Sequence, residues 1–121
     1  MNLNTIVAQC FDDSREWFPD KEFDVPFQTL CMLGESGEFA NLVKKVERGT
    51  HTYTDVKEQL KEELTDTFIY MCVLANILGM NMEEEYIAKR SANAKRFGSD
   101  SGASASRGRP LIRRGGEPEA I

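Results

Sequence analysis

Apolar residues recur at intervals of three and four along most of residues 2–98, which is the period of an amphipathic α-helix. No segment alternates apolar and polar residues for long enough to predict a β-strand. Proline, glycine and capping patterns divide the stretch into helices over about 2–18, 24–49, 56–78 and 82–97. The pattern therefore predicts an all-α protein, a bundle of four to five helices.

The third predicted helix is unusually apolar. Asp55 and Glu58 have the spacing of a capping box at its start. Its second half, residues 67–78, is apolar nearly all round, and such a helix has to be covered on every side. Few other helices are available to cover it. We therefore expect a second copy of the chain to do so, in a dimer or a dimer of dimers.

The last part of the chain has a different composition. Residues 99–121 are rich in Ser, Gly and Arg and contain too few apolar residues to form a core. This composition predicts one domain over 1–98 followed by a flexible tail over 99–121. The basic, partly apolar residues 111–114 leave docking to a partner, or contact with nucleic acid, as the alternative role of the tail.

Charge and cysteine content exclude several classes of protein. The 121-residue chain has a net charge of −5, whereas coating nucleic acid requires a basic surface. Its three cysteines form no CxxC pair, and with one histidine they favour neither a disulfide framework nor a zinc site. The N-terminus lacks a basic signal segment, and the longest apolar run falls short of the roughly 20 residues that cross a bilayer. We expect a cytoplasmic protein with no membrane or nucleic-acid partner.

Two pairs of carboxylates carry the main chemical signal. Glu35 and Glu38 lie on the second predicted helix, and Glu63 and Asp66 lie on the third. Residues three apart share one side of a helix, so each pair points one way. A solvated acidic face is the ordinary interpretation of either pair alone. Asp66, however, stands at the start of the apolar run, and clustered carboxylates repel one another unless a cation joins them.

The surroundings of the first pair favour a ligand site. Gly34 and Gly37 interrupt the helix at a cost of about 1 kcal/mol each relative to alanine, which indicates close approach by a backbone or a ligand. Oxygen ligands select a hard cation, first Mg²⁺, with Mn²⁺ or Ca²⁺ as alternatives. Di-iron bundles use Glu-x-x-His pairs, which this chain lacks. Because Mg²⁺ keeps positions for phosphate oxygens, the pattern indicates phosphoryl chemistry.

Other residues fit phosphate or base binding. Lys89, Asn93 and Arg96 share one face of the fourth predicted helix and could hold phosphate or sugar oxygens. Cations near a helix C-terminus also stabilise its dipole, which is the alternative explanation.

Three further candidates lie outside that helix. Tyr70 follows Asp66 by one turn, and Lys45 follows Glu38 by two turns. Trp17 offers a surface on which a base could stack, although a lone tryptophan is more often part of a core. The chain contains neither a P-loop nor a Gly-x-Gly-x-x-Gly motif for binding nucleotides.

Three segments, taken in order, resemble the MazG-like nucleotide pyrophosphohydrolases of the all-α NTP pyrophosphatase superfamily. They are GESGEFAN at 34–41, EELTDTFIY at 62–70 and KRSANAKRFG at 89–98. ExxE, then ExxD within EELxD, then K-x₃-N-x₂-R on successive helices is typical of this family. The resemblance extends over about residues 17–98.

The resemblance implies a Mg²⁺-dependent hydrolase that converts nucleoside or deoxynucleoside triphosphates to monophosphate and pyrophosphate, and a homodimer or homotetramer. It implies that the catalytic Mg²⁺ ligands are Glu35, Glu38, Glu63 and Asp66, and that Lys89, Asn93, Arg96 and Tyr70 hold the nucleotide. Many members have a second glutamate where Gly34 stands, and dCTP-selective forms have an aromatic residue where Lys45 stands. Base preference therefore does not carry over. A non-enzymatic helical module that binds nucleotide or protein is the alternative.

Overall fold

The computed structural model describes residues 1–98, and within them the chain forms four α-helices and no strand. The helices are α1 (Leu3–Trp17), α2 (Val25–Glu47), α3 (Tyr53–Ile77) and α4 (Met82–Arg96). The predicted all-α fold is therefore confirmed. Residues 99–121, where the sequence predicts a flexible tail, lie outside the described residues.

The first two helices begin at side-chain caps that the sequence supplies locally. Asn2 accepts a hydrogen bond at 2.9 Å from the backbone N–H of Thr5, which caps α1. Asp24 accepts one at 2.8 Å from the N–H of Phe27, which caps α2. Pro26 sits in the first turn of α2, where its missing N–H costs nothing.

The predicted capping box of α3 is wrong by one turn. The N-cap is Thr52, whose hydroxyl accepts from Asp55 N–H at 3.2 Å, while the Asp55 carboxylate accepts from Thr52 N–H at 2.8 Å. Both N–H groups at the helix start are thereby paired, and the reciprocal box extends α3 back to Tyr53. Glu58 lies inside the helix and instead forms an exposed ion pair with Lys61 at 3.2 Å.

Glycines follow the ends of three helices, as the sequence predicts. Gly49 after α2, Gly79 after α3 and Gly98 after α4 have φ values of +82°, +67° and +69°. Side chains other than glycine rarely adopt this left-handed conformation, so these positions end the helices sharply.

The core is built around α3 in two clusters. Toward α2, Leu42 and Val46 pack with the fully buried Val56 of α3. Toward α1, Val7 packs with Cys72 and Ala75. The central helix thus uses opposite ends of its length for two different neighbours, which leaves its middle section, around residues 63–70, between α1 and α2.

The chain divides into two compact units, the first being Met1–Glu83, while the second begins at Glu84 and holds most of α4. In the first unit, Asn4 of α1 donates to Asn81 Oδ1 and accepts from the N–H of Met82, both at 2.9 Å. Asn4 therefore supplies an acceptor to a backbone N–H at the start of α4. In the second unit, the described residues of α4 are all exposed, including Tyr86 and Ile87.

Within residues 1–98, α3 is only partly covered. Cys72, Val73 and Ala75 are buried, but Phe68 and Met71 are 37% and 45% exposed.

Among residues 1–98, no single helix is long and apolar enough to span a membrane. One pair of consecutive helices, α3 with α4, reaches that length and composition together.

Candidate active site

Three of the four predicted carboxylates converge where α2 and α3 meet. Glu35 from α2 and Glu63 and Asp66 from α3 each place one carboxylate oxygen within 4.8 Å of the other two. All three side chains are partly buried. The i, i+3 spacing puts Glu63 and Asp66 on one side of α3, and the packing of α3 against α2 brings that side to Glu35. Three oxygen ligands at this spacing fit a hard divalent cation.

The neighbouring carboxyl groups change the ionisation of Glu63. Its carboxyl borders solvent, yet Oε2 itself is enclosed and has no hydrogen-bond partner. The pKa of Glu63 is raised to about 7, chiefly because its proton can be shared with the carboxyl of Glu35, then with that of Glu38. Among the described residues, no Lys or Arg forms an ion pair with the cluster. An enclosed oxygen with neither donor nor counter-charge is what a bound cation would satisfy.

Glu38 is close enough to Glu63 to help raise its pKa, but it is not part of the three-carboxylate cluster. It is exposed and borders a groove of about 330 Å³ between α2 and α3. Lys45, the second candidate on this helix face, lies in the same groove. The groove is lined by Glu38, Asn41, Leu42, Lys45, Gln59, Glu62 and Glu63. Lys45 thus lines the same groove as Glu38 and Glu63.

A second cavity, of about 310 Å³, extends from the carboxylates toward α1. Its walls contain two acidic residues, several aromatic rings and one lysine. The lining residues are Ser14, Trp17, Phe18, Lys21, Phe23, Gln28, Glu35, Asp66, Ile69 and Tyr70. A bound cation could hold the anionic group of a ligand near Glu35 and Asp66. A flat ring of the same ligand could then stack against the aromatic side chains.

Tyr70 and Trp17, both predicted to bind substrate, line this cavity. Burial raises the pKa of the Tyr70 hydroxyl, with further contributions from the neighbouring Cys31, Glu35 and Asp66. The hydroxyl therefore stays protonated at neutral pH and can donate a hydrogen bond. Trp17 is the last residue of α1 and is 65% exposed, so its ring is not part of the core.

Several residues of this cavity were not found from the sequence. Phe18, Lys21 and Phe23 belong to the connection between α1 and α2, and the Lys21 ammonium lies 4.7 Å from the centre of the Phe18 ring. Gln28 is two helical turns before Glu35, on the same face of α2. That spacing of seven residues is the sequence signal that could have identified Gln28.

The predicted phosphate-binding residues Lys89, Asn93 and Arg96 are exposed on α4. The Arg96 guanidinium lies 5.2 Å from the centre of the Phe97 ring. Their role in nucleotide binding stays a prediction.

Fold and site together define an all-α protein with an acidic cluster beside an aromatic-lined cavity. The family model for the MazG nucleotide pyrophosphohydrolase domain matches residues 27–92, which is more than half of the chain. The chain belongs to this family, as the sequence predicts. No curated protein and no solved structure matches it. The match includes all four carboxylates, whereas α1 and Trp17 precede it.

Proposed function

We propose that this protein hydrolyses nucleoside or deoxynucleoside triphosphates to the monophosphate and pyrophosphate in a Mg²⁺-dependent reaction. One observation carries the proposal: a cluster of three carboxylates, with an enclosed and unpaired oxygen on Glu63, opens onto a cavity with aromatic walls. The cluster is suited to the phosphates and the cavity to the base. Membership of a nucleotide pyrophosphohydrolase family supports the same assignment.

The carboxylates Glu35, Glu63 and Asp66 would hold the divalent ion, with Glu38 beside Glu63. Mg²⁺ is the preferred ion because all ligands are hard oxygens, and Mn²⁺ is the alternative. When bound, the ion would supply charge stabilisation to the phosphate oxygens and lower the pKa of the attacking water.

The reaction breaks the bond between the α-phosphorus and the oxygen that bridges to the β-phosphate. Water adds to the α-phosphorus, its proton passes to a carboxylate or to solvent, and pyrophosphate leaves with the bridging oxygen. The Tyr70 hydroxyl would donate to a phosphate or sugar oxygen near Asp66. Lys45 on α2, and Lys89, Asn93 and Arg96 on α4, would neutralise or bind phosphate oxygens.

The proposed working form is a homodimer or homotetramer in the cytoplasm. Exposed apolar residues on α2 and α3 support self-association, since the described residues 1–98 leave them in water. The free cysteines Cys10, Cys31 and Cys72 support a reducing compartment. Neither a membrane nor a nucleic acid is a partner in this proposal.

The decisive experiment separates the two possible phosphate products. The purified chain is incubated with a panel of NTPs and dNTPs plus Mg²⁺, and pyrophosphate is resolved from single phosphate. We expect monophosphate and pyrophosphate, loss of turnover in EDTA and recovery on adding Mg²⁺ or Mn²⁺. Release of single phosphate with NDP, or turnover that EDTA does not affect, would contradict the proposal. Nucleotide binding without turnover would favour the non-enzymatic binding module.

A further inference from the structure

Gln28 is the one polar side chain among the described residues that is buried, with only 3% of its surface exposed. It lies in the wall of the aromatic cavity, which also contains Glu35 and Asp66. We propose that Gln28 reads the hydrogen-bonding edge of the nucleotide base and so contributes to base selection. This inference rests on the proposed function, because it takes the ligand of the cavity to be a nucleotide.

The orientation of the Gln28 amide is fixed by one hydrogen bond. Its Nε2 donates to the backbone carbonyl oxygen of Glu22 at 2.7 Å. Since a carbonyl oxygen can only accept, the nitrogen has to face Glu22 and the amide cannot be reversed. The Oε1 atom accepts no hydrogen bond from the described residues and is not fully enclosed. An acceptor and the second N–H of Nε2 therefore remain for a ligand.

The position of Gln28 along α2 suits the base end of a nucleotide. Gln28 precedes Glu35 by seven residues, which places it roughly 10 Å along the helix axis from the carboxylate cluster. The aromatic residues Trp17, Phe18 and Phe23 line the same cavity. With the phosphates at Glu35 and Asp66, the sugar would bridge this distance and the base would lie among the rings, beside the amide.

The free groups of Gln28 define the chemistry that it can recognise. Oε1 requires an N–H on the ligand, such as an exocyclic amine or a ring N–H, and the free Nε2–H requires an acceptor next to it. On the Watson–Crick edge, adenine and cytosine present an exocyclic amine beside a ring-nitrogen acceptor, whereas guanine, thymine and uracil present a carbonyl oxygen beside a ring N–H. Since the Gln28 amide cannot be reversed, it pairs with only one of these two orders at a given position of the base. Because an unmatched buried amide is costly, a base that fails to pair with it is rejected.

The same side chain also joins two parts of the structure, which gives a competing explanation. Through Glu22, Gln28 ties α2 to the connection that follows α1. If this is its whole role, replacing it would weaken every ligand of the cavity to a similar extent. A base-reading role instead changes the ratios between bases and leaves a base-free polyphosphate unaffected.

The test compares Gln28→Met with the full wild-type chain, with Gln9→Met as the matched control. Gln9 lies on the exposed side of α1 and bonds only to Asp13, at 2.8 Å. kcat/KM is measured for triphosphates of the four bases, and inorganic tripolyphosphate is titrated as a base-free inhibitor. Nucleotide binding is followed in parallel by the fluorescence of Trp17, the only tryptophan, which lies in the same cavity.

For Gln28→Met we expect kcat/KM of the preferred nucleotide to fall by about tenfold to a hundredfold, mainly through KM. The spread among the four bases should contract, while inhibition by tripolyphosphate changes by less than about twofold. Gln9→Met should behave as wild type. Equal losses for all nucleotides, or an unchanged ratio between bases, would overturn the role of Gln28.

The two levels of the proposal can fail separately. If the wild type hydrolyses no nucleotide, the proposed function fails, yet base-dependent quenching of Trp17 that Gln28→Met removes would still support base reading. If Gln28→Met does not fold, wild type is titrated with the preferred nucleotide methylated on its Watson–Crick edge nitrogen. A loss of affinity by about tenfold or more supports the inference, and unchanged affinity overturns it.

Discussion

At the scale of single residues, helix spacing identified the carboxylates but could not give their arrangement. The i, i+3 pairs fix which side chains share a face of α2 or of α3. How one helix is rotated and shifted against the other decides which of them meet, and distant packing sets this. The structure groups Glu35, Glu63 and Asp66, and it turns Glu38 toward the neighbouring groove.

Gln28 was missed for a related reason. A glutamine within a helix is ordinarily exposed, and its sequence neighbours Phe27 and Thr29 say nothing about the connection that covers it. Only the tertiary structure places the carbonyl of Glu22 beside its amide. The burial of a polar side chain is thus a property that local sequence patterns predict poorly.

The first residue-scale prediction concerns the repulsion within the cluster. Replacing Glu63 by Gln removes the carboxyl whose pKa its neighbours raise to about 7, so at pH 8, where that carboxyl is charged, the melting temperature in EDTA should rise relative to wild type. The same variant should lose activity by orders of magnitude, because an amide is a weaker ligand for Mg²⁺. Thermal melts with and without Mg²⁺, together with the pyrophosphate assay, measure both effects.

Glu58→Gln is the matched control on the same helix. Glu58 is exposed and pairs only with Lys61, and such a surface pair contributes little to stability. Neither its melting temperature nor its activity should change appreciably. If Glu63→Gln melts lower in EDTA and its activity follows the folded fraction, the carboxylate has a structural role instead.

At the scale of elements, the helices were predicted closely because their signals are local. Asp24 and Pro26 mark the start of α2, and glycines with positive φ follow the ends of α2 and α3. The start of α3 was misjudged because two overlapping segments both fit a capping box. The pair Thr52 and Asp55 satisfies the free N–H groups and adds a turn to the start of the helix. A box formed by Asp55 and Glu58 would begin the helix one turn later.

This capping box predicts a pH-dependent contribution to stability. The hydrogen bond from the backbone N–H of Thr52 holds the pKa of Asp55 below its ordinary value. The charged carboxylate therefore stabilises α3 above the unfolded pKa, near 3.9, and this contribution is lost as pH falls through the lower folded value. Urea unfolding should show Asp55→Asn less stable than wild type at pH 7, with the difference shrinking below about pH 4.

Thr52→Ala tests the other half of the box. It removes the acceptor for Asp55 N–H and should lower the free energy of unfolding by about 1 kcal/mol. Asp12→Asn, an exposed change on α1, serves as the control and should show no comparable difference. A constant gap between wild type and Asp55→Asn from pH 7 to pH 3 would mean that the carboxylate charge is not what stabilises the helix start.

At the scale of the whole molecule, the described residues 1–98 leave several apolar side chains of α2 and α3 exposed. On α2, Leu30 and Leu33 are 68% and 57% exposed, and a side chain at Gly37 would meet nothing within 4 Å. On α3, Phe68 and Met71 are exposed to a smaller extent, at 37% and 45%. The sequence predicted a helix that needs cover on every side, and the structure locates the uncovered part on these two helices.

We expect a second copy of the chain to cover these residues through a two-fold contact, because a self-complementary apolar surface is buried most simply in that way. The unfolding midpoint should then rise with protein concentration, which calorimetry over a hundredfold dilution measures.

Met71→Lys places a charge in the contact and should shift the chain toward monomer in sedimentation. Ala8→Lys, on the exposed side of α1, adds the same charge without this effect. A folded and active wild-type monomer at micromolar concentration would contradict the dimer. The exposed apolar residues of α2 and α3 would then remain in contact with water.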